Sequence, residues 1–198
     1  MKLFILKNFR KGVIEKGFTL IETLVAITVL MLSVTGPLVI SQKGLSAAGY
    51  AKDQITAYYL AQDAMEYVRN VRDTNILTGI TSGSGKDWLS VVSGRLSPCN
   101  VASCKIDTRP SGGDVSGCSG SACLLTKNDT GNSVVQYGHD TGTYTPFGRT
   151  VKIERPDGSV TPLGLGDIEA KVIVIVSWPT LSGQTKNITL VENLFKQN

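Results

Sequence analysis

From Phe18 to Ile40 the chain is almost uninterruptedly apolar, FTLIETLVAITVLMLSVTGPLVI, and Glu22 is the one charged residue in it. At about 1.5 Å of rise per residue, a helix over residues 18–40 covers a hydrocarbon core about 30 Å thick. After Ser41 the pattern becomes amphipathic. Ile55, Tyr58, Tyr59, Met65 and Val68 recur at three- and four-residue spacing, with Ala61 and Ala64 between them, which predicts a helix buried on one face. Lys52, Asp53, Gln54, Asp63, Glu66 and Arg69 fill much of the rest. One long helix to about Arg72 is therefore expected, broken by Asp73, Thr74 and Asn75 and weakened at Gly36-Pro37, since proline removes a backbone donor. The tyrosines at 50, 58, 59 and 67 are expected to pack against a sheet.

The C-terminal third alternates with the period of strands. Val134-Val135-Gln136-Tyr137 is a short one, and residues 149–154 alternate before Arg155-Pro156-Asp157-Gly158 turns the chain. Residues 171–178, KVIVIVSW, have the continuous apolarity of a central strand, and residues 187–192 return with Ile188 and Leu190 on one face. The expected fold class is α+β: a long N-terminal helix, membrane-spanning in its first half, packed against an antiparallel sheet of about four strands. Residues 76–133 read as loop-rich, dense in Gly and Ser, with a short helix near Trp88-Leu89 and Val91-Val92.

Charge adds an orientation. Residues 1–17 carry Lys2, Lys7, Arg10, Lys11 and Lys16 against Glu15, which accounts for the whole net charge of +4. The remaining chain is neutral, so nucleic acid is not indicated as a partner. A positive flank keeps the short N-terminal segment in the cytoplasm and exports the rest. A secretory signal would have a shorter apolar stretch and a small-x-small cleavage site. A plain signal anchor would leave Glu22, costly in hydrocarbon, without a reason.

The residues Gly17-Phe18-Thr19-Leu20-Ile21-Glu22, joined to a basic leader and an apolar helix, resemble the processing motif of type IV pilins and of the pseudopilins of type II secretion. The resemblance implies cleavage after Gly17 by a prepilin peptidase/N-methyltransferase and methylation of the new amino terminus at Phe18. It implies polymerisation with other pilin or pseudopilin subunits through the apolar helix, on an inner-membrane assembly platform. Glu22 then pairs with the Phe18 ammonium of a neighbour and sets register. On this reading the regions are a cleaved leader (1–17), a transmembrane and assembly half-helix in contact with membrane lipid (18–40) and an amphipathic half-helix (41–75). A cysteine-containing region (76–133) and the sheet (134–198) follow. Gly36 and Pro37 are the implied helix break. The chain would sit in the inner (cytoplasmic) membrane as a single-pass protein with an extracytoplasmic C-terminal domain, then enter a surface pilus or periplasmic pseudopilus. The rival is an extracytoplasmic binding or enzyme domain on an uncleaved anchor.

The four cysteines follow the pattern C-x4-C, thirteen residues, C-x4-C. Zinc knuckles use tighter spacing, and export favours disulfides. The similar loops CNVASC and CSGSAC favour Cys99–Cys104 with Cys118–Cys123, with the nested pairs Cys99–Cys123 and Cys104–Cys118 as the alternative. No catalytic residue, metal site or cofactor is expected. Thr81-Ser82-Gly83-Ser84-Gly85-Lys86 lacks the first glycine of a phosphate loop, having Ile80 there, and has Asp87 where Ser or Thr is needed. His139 reads as a solvated loop histidine. Asn128-Asp129-Thr130 and Asn187-Ile188-Thr189 fit the glycosylation sequon but read more simply as a turn and a strand.

Overall fold

The computed structural model describes residues 17–82, 87–109, 114–129, 135–180 and 183–196. The chain divides into two compact units, Met1–Ala48 and Gly49–Asn198. One helix, α1 (Leu20–Ser82), runs from the first into the second. In the first unit every described residue is exposed, including the large apolar side chains from Leu20 to Ile40. α1 is continuous through Gly36 and Pro37, so the expected break is not a break in this structure. Proline lacks the N–H for one helical bond and its ring crowds the carbonyl four residues earlier, yet the helix runs on through Pro37.

In the second unit α1 buries Ala57, Leu60, Ala61, Ala64, Met65, Val68 and Val71, a stripe at three- and four-residue spacing. It covers one face of an antiparallel sheet that has, among the described residues, seven strands: β1 (Cys104–Ile106), β2 (Val115–Gly117), β3 (Leu124–Asp129), β4 (Val135–Gly138), β5 (Thr143–Glu154), β6 (Glu169–Pro179) and β7 (Thr185–Phe195). The α+β class is as expected, but the sheet is larger than four strands. Three of its strands come from residues 104–129, within the stretch expected to be loops; β1 and β2, at three residues each, are too short to show alternation.

β5 is the trunk of the sheet. On one side its C-terminal half pairs with β6 from Gly148↔Ser177 to Glu154↔Lys171, and β6 pairs with β7 over eleven residues. On the other side its N-terminal half pairs with β3, and Val151 pairs with Cys104 of β1. Inward-facing positions of the trunk and its neighbour alternate strictly: Phe147, Arg149, Val151 and Ile153 on β5, and Ala170, Val172, Val174, Val176 and Trp178 on β6. Asn128 and Asp129 lie in β3 rather than in a turn, and Asn187 to Thr189 lie in β7.

Four further expectations change. α1 continues past Asp73, Thr74 and Asn75 to Ser82; Thr78 Oγ1 bonds back to the Thr74 carbonyl at 2.7 Å within this last stretch. Residues 87–92 form turns rather than a helix, although Trp88, Leu89 and Val91 are buried and cap the core. Tyr58 and Tyr59 point to solvent and meet each other edge-on, whereas Tyr50 contacts Trp178. His139 is buried, not solvated. The loops at 87–101 and 155–168 are tied together by Asn100, whose amide donates to the carbonyls of Val91 and Leu163 and accepts from Leu163 N. Trp88 Nε1 adds a bond to the Asp167 carbonyl at 2.7 Å.

Candidate assembly site

The first turn of α1 is built by Thr19. Its side-chain oxygen accepts from Glu22 N at 3.3 Å, and its carbonyl accepts from Glu22 N and Thr23 N at 3.1 and 3.2 Å. Thr19-x-x-Glu22 has the spacing of a capping box, with threonine as the cap and the acid at the third helical position. That places an acid where the positive end of the helix dipole favours it. The helix therefore starts directly after Gly17 and Phe18, and both are exposed. Gly17 and Phe18 precede the helix, Glu22 lies in its first turn, and Gly36 and Pro37 lie further along the same apolar segment.

The apolar segment carries hydroxyls that lipid would penalise if unpaired. Past the cap at Thr19, those from Thr23 to Ser41 have internal acceptors. Thr23 donates to Leu20 O, Thr28 to Val25 O and Ser33 to Leu30 O, all at 2.8 Å, and Thr35 donates to Leu32 O at 3.3 Å. Ser41 Oγ donates to Pro37 O at 2.9 Å. Back-bonding of this kind leaves Glu22 as the polar group of the segment that the helix itself does not satisfy. Among the described residues no cation pairs with it.

In the second unit, the structure joins Cys99 to Cys104 and Cys118 to Cys123, with Cα separations of 4.9 and 5.4 Å. The first pair is fully buried between a 3-10 turn (Ser97–Cys99) and β1. The histidine and four charged residues outside the sequence expectations form a polar cluster beneath the sheet. Arg149 is fully buried; it donates to the Leu60 carbonyl and Asp63 on α1 at 2.9 and 2.8 Å, and to the Ile106 carbonyl at 2.8 Å. Burial pulls its guanidinium below the ordinary value against the opposing pull of Asp63. Burial also pushes the Asp107 carboxyl up, but bonds from Arg109 and from the amides of His139 and Arg109 outweigh it and leave it at about 2. Gly138 is required here: a Cβ would overlap the Arg109 guanidinium and lie 2.7 Å from Asp107 Oδ1.

Two signals for these residues were present in the sequence. Thr19-x-x-Glu22 is a readable capping pattern, and the alternation of residues 147–153 puts Arg149 on the same face as Phe147, Val151 and Ile153. The partners Asp63 and Asp107 carry no such signal, because only the fold brings them to Arg149 and Arg109. No group of three or more metal-ligating side chains occurs among the described residues.

The chain is an α+β protein whose N-terminal helix is long and apolar enough to cross a membrane. Residues 14–36 match the family model described as the prokaryotic N-terminal methylation motif, the signature of type IV pilins and pseudopilins. The match covers the N-terminal segment of the chain, and the motif and the helix together support a type IV pilin-like reading. No curated protein and no solved structure matches the chain.

Proposed function

We propose that this chain is a structural subunit, not an enzyme, of a type IV pilus or pseudopilus. It is cut after Gly17 by a prepilin peptidase/N-methyltransferase, methylated at Phe18 and polymerised with other pilin or pseudopilin subunits through residues 18–40. Before assembly it spans the inner membrane once, with the basic leader on the cytoplasmic side and the sheet domain outside. An inner-membrane assembly platform then draws it into the filament, where Gly36-Pro37 is the place at which the helix yields.

The observation that carries this reading is Glu22: a carboxylate in the first turn of an exposed apolar helix, four residues after Phe18, with no cation of its own chain to pair with among the described residues. Cleavage after Gly17 creates an ammonium at Phe18. In a bundle of such helices, the ammonium of one copy supplies what the Glu22 of another lacks. Desolvation offsets much of the attraction, so the pair fixes axial register more than it adds stability. The Thr19 cap holds the carboxylate's backbone in helical geometry from its first residue.

Intact-mass and N-terminal analysis of the chain from membranes of the source cell tests the processing. A chain beginning at methylated Phe18 is the expected result, and Gly17→Val should accumulate at full length. A chain that retains Met1 in wild-type cells would instead make the helix a plain anchor for an extracytoplasmic domain.

A further inference from the structure

His139 is the only histidine in the chain, and it lies buried where the turn after β4 folds back on the sheet. Its Nδ1 is 3.1 Å from the Leu124 carbonyl. A carbonyl only accepts, so Nδ1 carries the proton and Nε2 presents a lone pair. Among the described residues that buried Nε2 has no hydrogen-bond partner, and neither has the buried Nε–H of Arg149, whose Nη groups are committed to Leu60, Asp63 and Ile106.

The charges around the imidazole come from several elements. Arg149 of β5 and Lys105 of β1 act on it as cations, and Asp107 after β1 acts as an anion. Arg109 donates to the carbonyl of His139, Asp140 follows it, and Asp63 of α1 sits behind Arg149. Every one of these carboxylates already has its cation: Asp107 has Arg109, Asp140 has Lys105 and Asp63 has Arg149. A proton on Nε2 would therefore add a buried cation beside Arg149 with no carboxylate left to receive it.

We propose that His139 is a proton-operated latch, which holds the β4 turn closed on β3 when neutral and releases β4 from the sheet when protonated. This goes beyond the assembly reading and does not depend on it. β4 can be released without breaking the rest of the sheet, because it is an edge strand that pairs with β3, over four residues ending at Thr126↔Gly138. Its Val135, Gln136 and Tyr137 also form one wall of a groove of about 510 Å³ against Thr56 and Tyr59 of α1, so release opens that groove. Burial first, and then the Arg149 charge, hold the imidazole down at about 4. The closed state thus binds fewer protons than the opened one between pH 6.5 and about 4, and opening gains up to about tenfold per pH unit of acidification.

Hydrogen exchange of the full chain in detergent micelles at pH 7, 6 and 5, with times adjusted for intrinsic exchange, tests the latch. Protection of residues 135–138, and of the β3 amides that bond to β4, should fall towards tenfold per pH unit below pH 6.5, while β6 and β7 stay protected. No other side chain in the chain has an ordinary pKa in that window, so His139→Asn, which keeps a donor for the Leu124 carbonyl, should be flat across it. Unchanged wild-type protection from pH 7 to 5, or an equal loss in His139→Asn, overturns the proposal. If the variant does not fold, the wild-type imidazole decides by its own NMR titration. A midpoint well below 6.5 that tracks the exchange supports the latch, and a midpoint at or above 6.5 overturns it.

Discussion

Arg149 Nη1 donates to Asp63 Oδ2 at 2.8 Å from the trunk of the sheet to α1, with the arginine side chain fully buried and the aspartate about half exposed (48%). The aspartate also accepts from Thr108 Oγ1 at 2.5 Å, so three elements converge on one carboxylate. Removing the acid strands a buried guanidinium, whereas removing the guanidinium leaves an acid that water can reach. Asp63→Ala should therefore destabilise the domain by about 2–3 kcal/mol, below the usual range for a fully buried pair because Asp63 is partly solvated. Adding Arg149→Met to Asp63→Ala should recover part of that loss. Urea unfolding followed by the fluorescence of Trp88 and Trp178 measures both, and a double variant weaker than the single would refute the stranded-charge account.

Acid should act on Asp107 at a lower pH than on the histidine. Its folded-state carboxyl sits at about 2, below the ordinary 3.8. The stability it contributes is therefore complete above pH 3.8 and lost as the pH falls from there towards 2. That contribution is on the order of 1–2 kcal/mol after allowance for solvent screening. In Asp107→Asn this low-pH segment of the stability curve should flatten, and the variant should be weaker at neutral pH because Arg109 loses its charge partner. An unchanged slope between pH 4 and 2 would show that Asp107 does not carry it.

The two disulfides close loops of equal length, each with a sequence separation of five. Chain entropy therefore gives each about the same, on the order of 2 kcal/mol, and any difference comes from surroundings. Cys99 and Cys104 are both at 0% exposure within the core, while Cys118 is half-buried. Serine at 99 and 104 would leave two hydroxyls in the core, so that double variant should lower the urea midpoint more than the 118/123 double variant does. Equal midpoints would indicate that the core repacks without cost. Denaturing thiol labelling of the unreduced, surface-extracted protein should find no free thiol.

What the sequence made legible follows from how far each signal is local. The apolar segment, the processing motif and strands β5 to β7 are long enough to display their periods, and their class was readable. The buried stripe of α1 was only half readable. Met65 and Val68 are inside as expected, but Ile55, Tyr58 and Tyr59 face out, and Ala57, Ala61 and Ala64 lie against the sheet. Hydrophobicity ranks tyrosine and isoleucine above alanine, yet a helix that approaches a sheet closely needs its small residues at the contact. β1 and β2 escaped because three residues hold no pattern. The buried state of His139 escaped because its neighbours Gly138, Asp140 and Gly142 are turn residues; the turn exists, with positive φ at Asp140 and Gly142, but it folds inward over Arg109.

Glu22 should act in assembly and not in folding. If its partner is the Phe18 ammonium of a neighbouring copy, the carboxylate matters only when apolar helices leave lipid for one another. Glu22→Gln should then be inserted, cleaved and folded normally, with both disulfides formed. Incorporation into filaments should fall roughly tenfold or more, because the neighbour's ammonium is buried without a counter-charge. Loss of the charge eases insertion into lipid, so poor membrane integration cannot explain the defect. Glu22→Asp, with a shorter reach, should be intermediate. Thr19→Val separates the two roles of this turn: it removes the cap from Glu22 N but leaves the carboxylate, and so should weaken helix initiation by about 1 kcal/mol with a milder effect on incorporation. The measurement is the amount of this chain itself in sheared filaments, relative to its amount in membranes, since wild-type neighbours can supply filaments that lack it. Wild-type incorporation of Glu22→Gln would show that the carboxylate is dispensable and that register is set by apolar packing alone.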